Sequence, residues 1–438
     1  MSLTETERRV VDEIERRTDE LVALAADLIR FDTTARDPSD PPRDEMALQS
    51  YLADRMRALG ADIDLWEPAP DDVGHSRLTP PGLSFEGRPQ LAARFRGAGR
   101  GPTLLFNGHI DTVSTEPRAR WKRDPHRPDV LDGKLYGRGA CDMKGGIASM
   151  VFAAELLASL GLRLTGDLVV CTVTDEESTG AGGLAAVVHG VRADAGVVTE
   201  PSAFDVWVAC RGSLIPTITV PGRPGHAGVK QPHWREGGAV NAVDKAHLVM
   251  DAMRRFQEDW RAHRNHHHPY LSQGEVVLTG ISSGEWAVTY PAACQLVYHV
   301  AYLPQHADEG GWGTEVRQQI TDWIHRVAVS DPWLSENPPV IEWAPEVPAA
   351  EVSIEEPIVR MMLTASADAG RLSKLSGLDS WHDGATFTRF GGTPAICFGP
   401  GDISVAHTIN EFVPVDDLVD CAKALALVAL RFCSPAEK

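Results

Sequence analysis

From residue 91 to about residue 211, short apolar runs alternate with helical stretches, and several of the runs stop at a carboxylate or an imidazole. Thr103-Leu104-Leu105-Phe106 leads into Asn107-Gly108-His109-Ile110-Asp111. Leu168–Val173 leads into Asp175-Glu176-Glu177, and Gly196-Val197-Val198-Thr199 into Glu200. Late in the chain, His407 follows Ala395-Ile396-Cys397-Phe398-Gly399-Pro400-Gly401. Short apolar strands separated by helices build an α/β sandwich around a mostly parallel sheet. In such sheets ligands bind beyond the carboxyl ends of the strands. The pattern therefore sets the fold class and also says where to look for chemistry.

The rest of the chain fits around this block. Apolar positions Val10, Val11, Ile14, Leu21, Leu24, Ala25 and Leu28 predict one amphipathic helix over about 5–30. A second helix covers about 43–59, and 66–90 reads as an irregular excursion rich in Pro, Asp and Gly. Helices are predicted at Ile147–Leu160 and Leu184–His189. Near residue 211 the character changes. Ser213–Val220 alternates as a half-buried strand does, and a helix (Ala239–Trp260), two strands (Val276–Ile281, Cys294–Tyr302), a helix (Gly313–Val327) and a strand (Val340–Trp343) follow. Strand-helix-strand-strand-helix-strand is the ferredoxin-like order. The α/β pattern resumes after 350 with a helix at 356–369, a strand at 394–398 and a helix at 415–432. The expected organisation is a catalytic domain at 1–212 and 350–438, with an inserted α+β domain at 213–349. A chain of 438 residues exceeds the size at which one core stops growing.

The formal charge of −19 argues against nucleic acid or an anionic membrane surface as a partner. No run approaches the ~18 apolar residues that span a bilayer, and the charged N-terminus lacks the apolar region of a signal peptide. The seven cysteines are odd in number and widely spaced, which points to free thiols and a cytoplasmic compartment.

Taken singly, His109-x-Asp111 is a surface turn and Asp175-Glu176-Glu177 a solvated acidic loop. His266-His267-His268 reads as a solvated loop as well. Gathered at strand ends, His109, Asp142, Glu177, Glu200 and His407 read instead as metal ligands, because histidine nitrogen and carboxylate oxygen suit zinc. Five ligands and a spare carboxylate favour two ions over one. Two ions about 3.5–4 Å apart would share one water and lower its pKa, which makes the chain a hydrolase.

Five blocks carry a family resemblance: Gly108-His109-Ile110-Asp111-Thr112-Val113, Gly137–Gly146 around Asp142, Thr174-Asp175-Glu176-Glu177, Thr199-Glu200-Pro201-Ser202 and Val405-Ala406-His407. In this order the chain resembles the co-catalytic zinc hydrolases that include aminoacylases, acetylornithine deacetylases, succinyl-diaminopimelate desuccinylases and glutamate carboxypeptidases. The resemblance implies a zinc-peptidase-like three-layer sandwich with a lid and dimerisation domain. It implies that His109 and Glu200 hold one ion, Glu177 and His407 the other, and that Asp142 bridges them. Zinc comes first, with cobalt or manganese also fitting. Asp111 would take a hydrogen bond from the His109 ring, and Glu176 would be the general base. A cis peptide would follow Asp142. His226, in Pro221–Gly228, would reach a partner's site and stabilise the oxyanion, so a homodimer through the lid is implied.

Two segments depart from the family pattern. Val288 stands where an Asn is common, and His299, Val300 and Ala301 stand where an acidic residue and Arg are common. These positions often serve a substrate carboxylate. Ser380-Trp381-His382-Asp383 replaces a Gly-Gly-Thr-Asp run, which makes His382, Asp383 and Arg389 candidates for substrate contact. The reading is a two-metal amidohydrolase that removes an acyl group from a small N-acylated substrate, of the acetylornithine deacetylase type. A dipeptidase or carboxypeptidase, a deformylase of an aminopyrimidine, and an inactive binding homologue are the alternatives.

Overall fold

The computed structural model describes residues 3–35, 41–262 and 267–434. Its contacts divide the chain into two compact units. The first comprises Met1–Ala209, Glu351–Gly377 and His382–Lys438, and the second Cys210–Ala350 and Leu378–Trp381. The sequence leaves 378–381 in the first unit. Hydrogen bonds tie this segment to the second: Arg211 Nε donates to the Asp379 carbonyl (2.7 Å), and Ser272 N to the Asp379 carboxylate (2.8 Å).

The first unit opens with α1 (Glu5–Arg16), α2 (Thr18–Arg30) and α3 (Glu45–Ala58). The single helix expected over 5–30 is broken at Arg17, which ends α1 and precedes α2. The apolar stripe continues through the break, so periodicity cannot reveal it. The two pieces serve different neighbours: α1 packs against the C-terminal helix, and α2 against the helix that begins at Lys144. After α3 come β1 (Asp62–Trp66), α4 (Pro70–Val73), β2 (Gln90–Phe95), β3 (Leu104–His109), β4 (Asp129–Leu131) and β5 (Lys134–Tyr136). Then follow α5 (Lys144–Ser159), β6 (Leu168–Val173), α6 (Ala181–His189), β7 (Ala195–Val198) and β8 (Val206–Cys210).

The second unit contains β9 (Gly212–Leu214), β10 (Pro216–Pro221), α7 (Ala242–Ala262), β11 (Glu275–Ser283), β12 (Ala293–Tyr302), α8 (Thr314–Ser330) and β13 (Val340–Trp343). The one strand expected over 213–220 is two, because Pro216 has no N–H to continue a ladder. The sheet order β11-β12-β10-β13, with β9 beside β12, is that of a ferredoxin-like unit. Along β10 every second residue is buried. Ile218, Val220, Leu296, Tyr298 and Val300 pack in one core with Val249, Met253 and Phe256 of α7 and Ile320 and Ile324 of α8. Each such side chain contributes about 1.5–3 kcal/mol by leaving water. Of the histidine loop, His266 lies outside the described residues.

The chain continues through β14 (Ala350–Glu351), α9 (Pro357–Asp368), β15 (Leu375–Leu378), α10 (Gly384–Arg389), β16 (Ala395–Cys397), β17 (Phe412–Pro414) and α11 (Val415–Cys433). The main sheet runs β1-β2-β6-β3-β7-β16-β8-β14, with β15 beside β8. Its centre is parallel, from β6 through β3 and β7 to β16. The flanking pairs β1·β2, β2·β6 and β16·β8 are antiparallel. β3, β6 and β7 are buried along their whole length, as central strands covered on both faces must be. Helices α5 and α11 pack together in one layer, and α6 and α10 in the other. A separate three-stranded sheet, β17-β5-β4, lies outside this sandwich. All seven cysteines are buried free thiols, and among the described residues no helix is long and apolar enough to cross a membrane.

Register and close approach together position the site. Val173 stands beside His109, and Val198 beside both Asn107 and Cys397, so the central strands end at one level. Two glycines let helices come close to those ends. A Cβ on Gly146 would stand 2.1 Å from the carbonyl oxygen of Thr199, and one on Gly182 would stand 1.7 Å from that of Thr174. Gly146→Ala must therefore displace the backbone just before Glu200. It should cost about 1–3 kcal/mol, as overpacking does, seen as a lower urea midpoint. An unchanged midpoint would contradict this packing.

Candidate metal centre

β3 ends on His109, whose side chain is buried. Its Nδ1 lies 2.9 Å from the carbonyl oxygen of Asp111. A carbonyl can only accept, so Nδ1 carries a proton and Nε2 is the nitrogen that faces the cluster. The carboxylate of Asp111 does not make this bond; its Oδ1 stands 3.7 Å from Nδ1. It accepts instead from the backbone N–H groups of Glu176 (3.3 Å) and Glu177 (3.0 Å). Asp111 thus orients the ring through its main chain, while its side chain holds the loop after β6. The sequence shows a carboxylate two residues from a histidine but not which of its oxygens faces the ring.

Asp142 lies between β5 and α5, and the peptide bond that follows it is cis. Its two oxygens face different partners. Oδ1 is 3.1 Å from His109 Nε2, and Oδ2 is 3.2 Å from His407 Nε2. On the first side Glu200 Oε1 stands 3.7 Å from His109 Nε2. On the second, Glu177 Oε2 stands 3.1 Å from His407 Nε2. Donor atoms of His109, Asp142 and Glu177 lie within 4.8 Å of one another, so the two halves form one cluster. Ligands about 2.0–2.2 Å from a tetrahedral zinc would be roughly 3.3–3.6 Å apart. The observed spacings suit a divalent ion on each side of Asp142. The donor set, two imidazoles and three carboxylates, suits zinc, cobalt or manganese.

Glu176 points into the same cluster, on the His109 side. Its Oε2 is 4.0 Å from His109 Nε2, and its side chain is 10% exposed. Asp175 (φ +65°) and His407 (φ +60°) occupy the left-handed region, which costs a non-glycine residue about 1–2 kcal/mol. The strain brackets the site: one residue turns Glu176 and Glu177 inward, and the other delivers an imidazole. The His407 side chain is 51% exposed and forms the open side.

Burial pushes the carboxyl groups of Glu176 and Glu200 well above the usual range, and like charges nearby add to this. Burial opposes the charged form of His109, but Glu200, Asp142 and Glu176 outweigh it and hold its pKa well above 6.5. Hydrogen bonds to Asp142 and Glu177 raise His407 to about 10. The ion-free cluster therefore stores protons that a cation must displace.

Of the other expected residues, Asp383 is near enough to add to the repulsion on Glu176 and Glu200. His382 and Asp383 are 3% and 1% exposed, which puts them beneath the surface. Burial alone lowers His382 to about 4, and its Nδ1 accepts from Gly384 N (3.0 Å). Asp383 sits against Gly183 at the start of α6, where a Cβ on the glycine would be 2.1 Å from its Oδ1. Burial raises its carboxyl to about 7. Arg389 ends α10, about 9 Å along the helix from Asp383. His226 is an exposed residue of the second unit. Its Nδ1 accepts from Gly228 N (3.0 Å), so Nε2 carries the proton.

Ligand histidines must be deprotonated to bind a metal. With both imidazoles held protonated near neutrality, metal uptake should release protons and weaken as pH falls. Calorimetric titration in two buffers of different ionisation enthalpy checks this. Identical apparent enthalpies would contradict the stored protons.

Comparison with known proteins agrees with this geometry. The sequence model of peptidase family M20/M25/M40 matches residues 105–431. N-formyl-4-amino-5-aminomethyl-2-methylpyrimidine deformylase of Bacillus subtilis is 27% identical, over 96% of each chain. Succinyl-diaminopimelate desuccinylase of Thioalkalivibrio sulfidiphilus is 30% identical over 80% of this chain and 91% of its own. Among solved structures, a tripeptidase from Staphylococcus aureus shares the fold, with a TM-score of 0.70 at 19% identity over 95% of this chain and 98% of that one. The family match covers well over half of the sequence and spans all five clustered residues, and the chain belongs to peptidase family M20/M25/M40.

Proposed function

We propose that this protein is a two-metal amidohydrolase that removes a formyl group from a small, flat amine of the aminomethylpyrimidine kind. The observation that carries the two-metal reading is Asp142, whose oxygens each face one histidine of a different half-site. His109 and Glu200 would hold one ion, His407 and Glu177 the other, with zinc the first choice. Two divalent cations there would acidify a water and stabilise negative charge developing on the amide oxygen.

The protein's own groups do the rest. Glu176 takes a proton from the attacking water at its carboxylate and hands it to the leaving nitrogen. Its burial supports this role, because a carboxyl with a raised pKa can hold a proton between the two steps. Asp111 keeps Glu176 and Glu177 in place through their backbone N–H groups. His226, with its proton on Nε2, is the proposed donor to the oxyanion of a partner protomer's site. That role makes the homodimer part of the proposal. A cytoplasmic location is supported by the free thiols.

The formyl preference is supported by the deformylase relative, which aligns over 96% of both chains. It is also supported by the sequence, where Val288 stands at a place that commonly holds an Asn in relatives acting on carboxylate-bearing substrates.

Two outcomes test the proposal. Glu176→Gln should keep its metal while turnover falls by ~10²–10⁴, the usual loss for a general base; full activity would remove Glu176 from the mechanism. In a panel of N-formylaminomethylpyrimidine, N-acetylornithine, N-succinyl-diaminopimelate and dipeptides, the formyl substrate should show the highest kcat/KM. Cleavage of dipeptides alone would assign the peptidase alternative.

A further inference from the structure

Glu411 lies four residues beyond His407 and is fully buried, with both carboxylate oxygens engaged by neighbours of Asp142 or by its main chain. Its Oε1 accepts from the backbone N–H of Cys141 (2.9 Å) and of Asp142 (3.1 Å). Its Oε2 accepts from Arg138 Nη1 at 2.5 Å. Its own carbonyl accepts from Gly137 N at 3.0 Å. Arg138 is 2% exposed, donates to the Ser114 carbonyl (2.9 Å) and lies over the Trp121 ring at 5.0 Å. The strands next to these residues are paired: Tyr136 of β5 stands opposite Phe412 of β17. The small outer sheet thus fastens the segment entering Asp142 to the segment leaving His407.

A carboxylate buried beside an acidic cluster is a costly choice. Its charge opposes that of Asp142, and an apolar pair of similar volume would often be as stable as Glu411 with Arg138. What an apolar pair cannot do is accept two hydrogen bonds from the main chain of Asp142. Holding that main chain fixes the root from which the short Asp142 side chain, with only two torsions, reaches the cluster.

We infer that Glu411 is a positioning residue for Asp142. It holds the Cys141–Asp142 main chain so that the two carboxylate oxygens face separate half-sites, and Arg138 keeps Glu411 in place. This rests on the reading that Asp142 bridges two ions.

Two double variants isolate the acceptor from the ion pair. Arg138→Met/Glu411→Gln removes both charges but keeps an oxygen for the two N–H groups. Arg138→Met/Glu411→Leu removes both charges and the oxygen. Each folded protein, checked by circular dichroism, is titrated with cobalt(II) while the visible d–d bands and the bound ions per chain are recorded. The Gln variant should bind two ions with the unaltered protein's spectrum. The Leu variant should bind its second ion roughly 10–100-fold more weakly, the usual effect of losing a group that orients a ligand, with altered bands. Equal binding by the two variants would overturn the proposal, as would loss of the second ion from the Gln variant, which decides the matter alone if the Leu variant does not fold. Binding of one ion by the unaltered protein would instead overturn the two-ion reading.

Discussion

Parallel strands paired in one register release their chains at a single edge, and everything distinctive about this protein is built on that edge. β6, β3, β7 and β16 end level with one another, because Val173 pairs with His109 and Val198 with Asn107 and Cys397. Residues far apart in sequence leave the sheet side by side. Glu177 follows β6, His109 closes β3, Glu200 follows β7 and His407 follows β16. Asp142 is the exception, since it comes from the turn into α5. That turn is brought in by the contact of Gly146 with Thr199 and by the pairing of β5 with β17.

Gathering so many acidic groups has an electrostatic cost that the fold alone does not remove. Burial and mutual repulsion raise Glu176, Glu177 and Glu200, and the two histidines hold protons as partial compensation. Backbone strain at Asp175 and His407 adds to it. Cations relieve the repulsion, so binding them and stabilising the fold are linked. The same crowding separates two roles for similar side chains. In the proposed scheme the carboxylates beside an imidazole would share an ion, and Glu176 would carry a proton.

Much of this could be read from the sequence because it depends on short-range signals. Apolar runs that stop at His109, Glu177 and Glu200 mark strand ends whichever neighbours the strands find. The alternation of Ile218 and Val220, and of Leu296, Tyr298 and Val300, marks one-sided burial in the inserted unit. What could not be read depends on tertiary contact. The break at Arg17 leaves the apolar stripe intact. β1 and the short strands β4, β5 and β17 carry too few residues to show a period. Asp111 looks like a partner for the His109 ring, but its carboxylate is drawn to the loop after β6. His382 and Asp383 are as buried as His109 and Glu200, a depth that their polar character does not announce. The 378–381 segment belongs to the inserted unit through bonds to Arg211 and Ser272, which no local pattern announces.

The central claim is that the two oxygens of Asp142 serve two different ions. Anomalous diffraction from crystals grown with zinc or cobalt, collected on both sides of the metal edge, tests it directly. The account predicts two peaks about 3.5–4 Å apart, one between Asp142, His109 and Glu200 and the other between Asp142, His407 and Glu177. A single peak at full occupancy, or two peaks that do not flank Asp142, would contradict it.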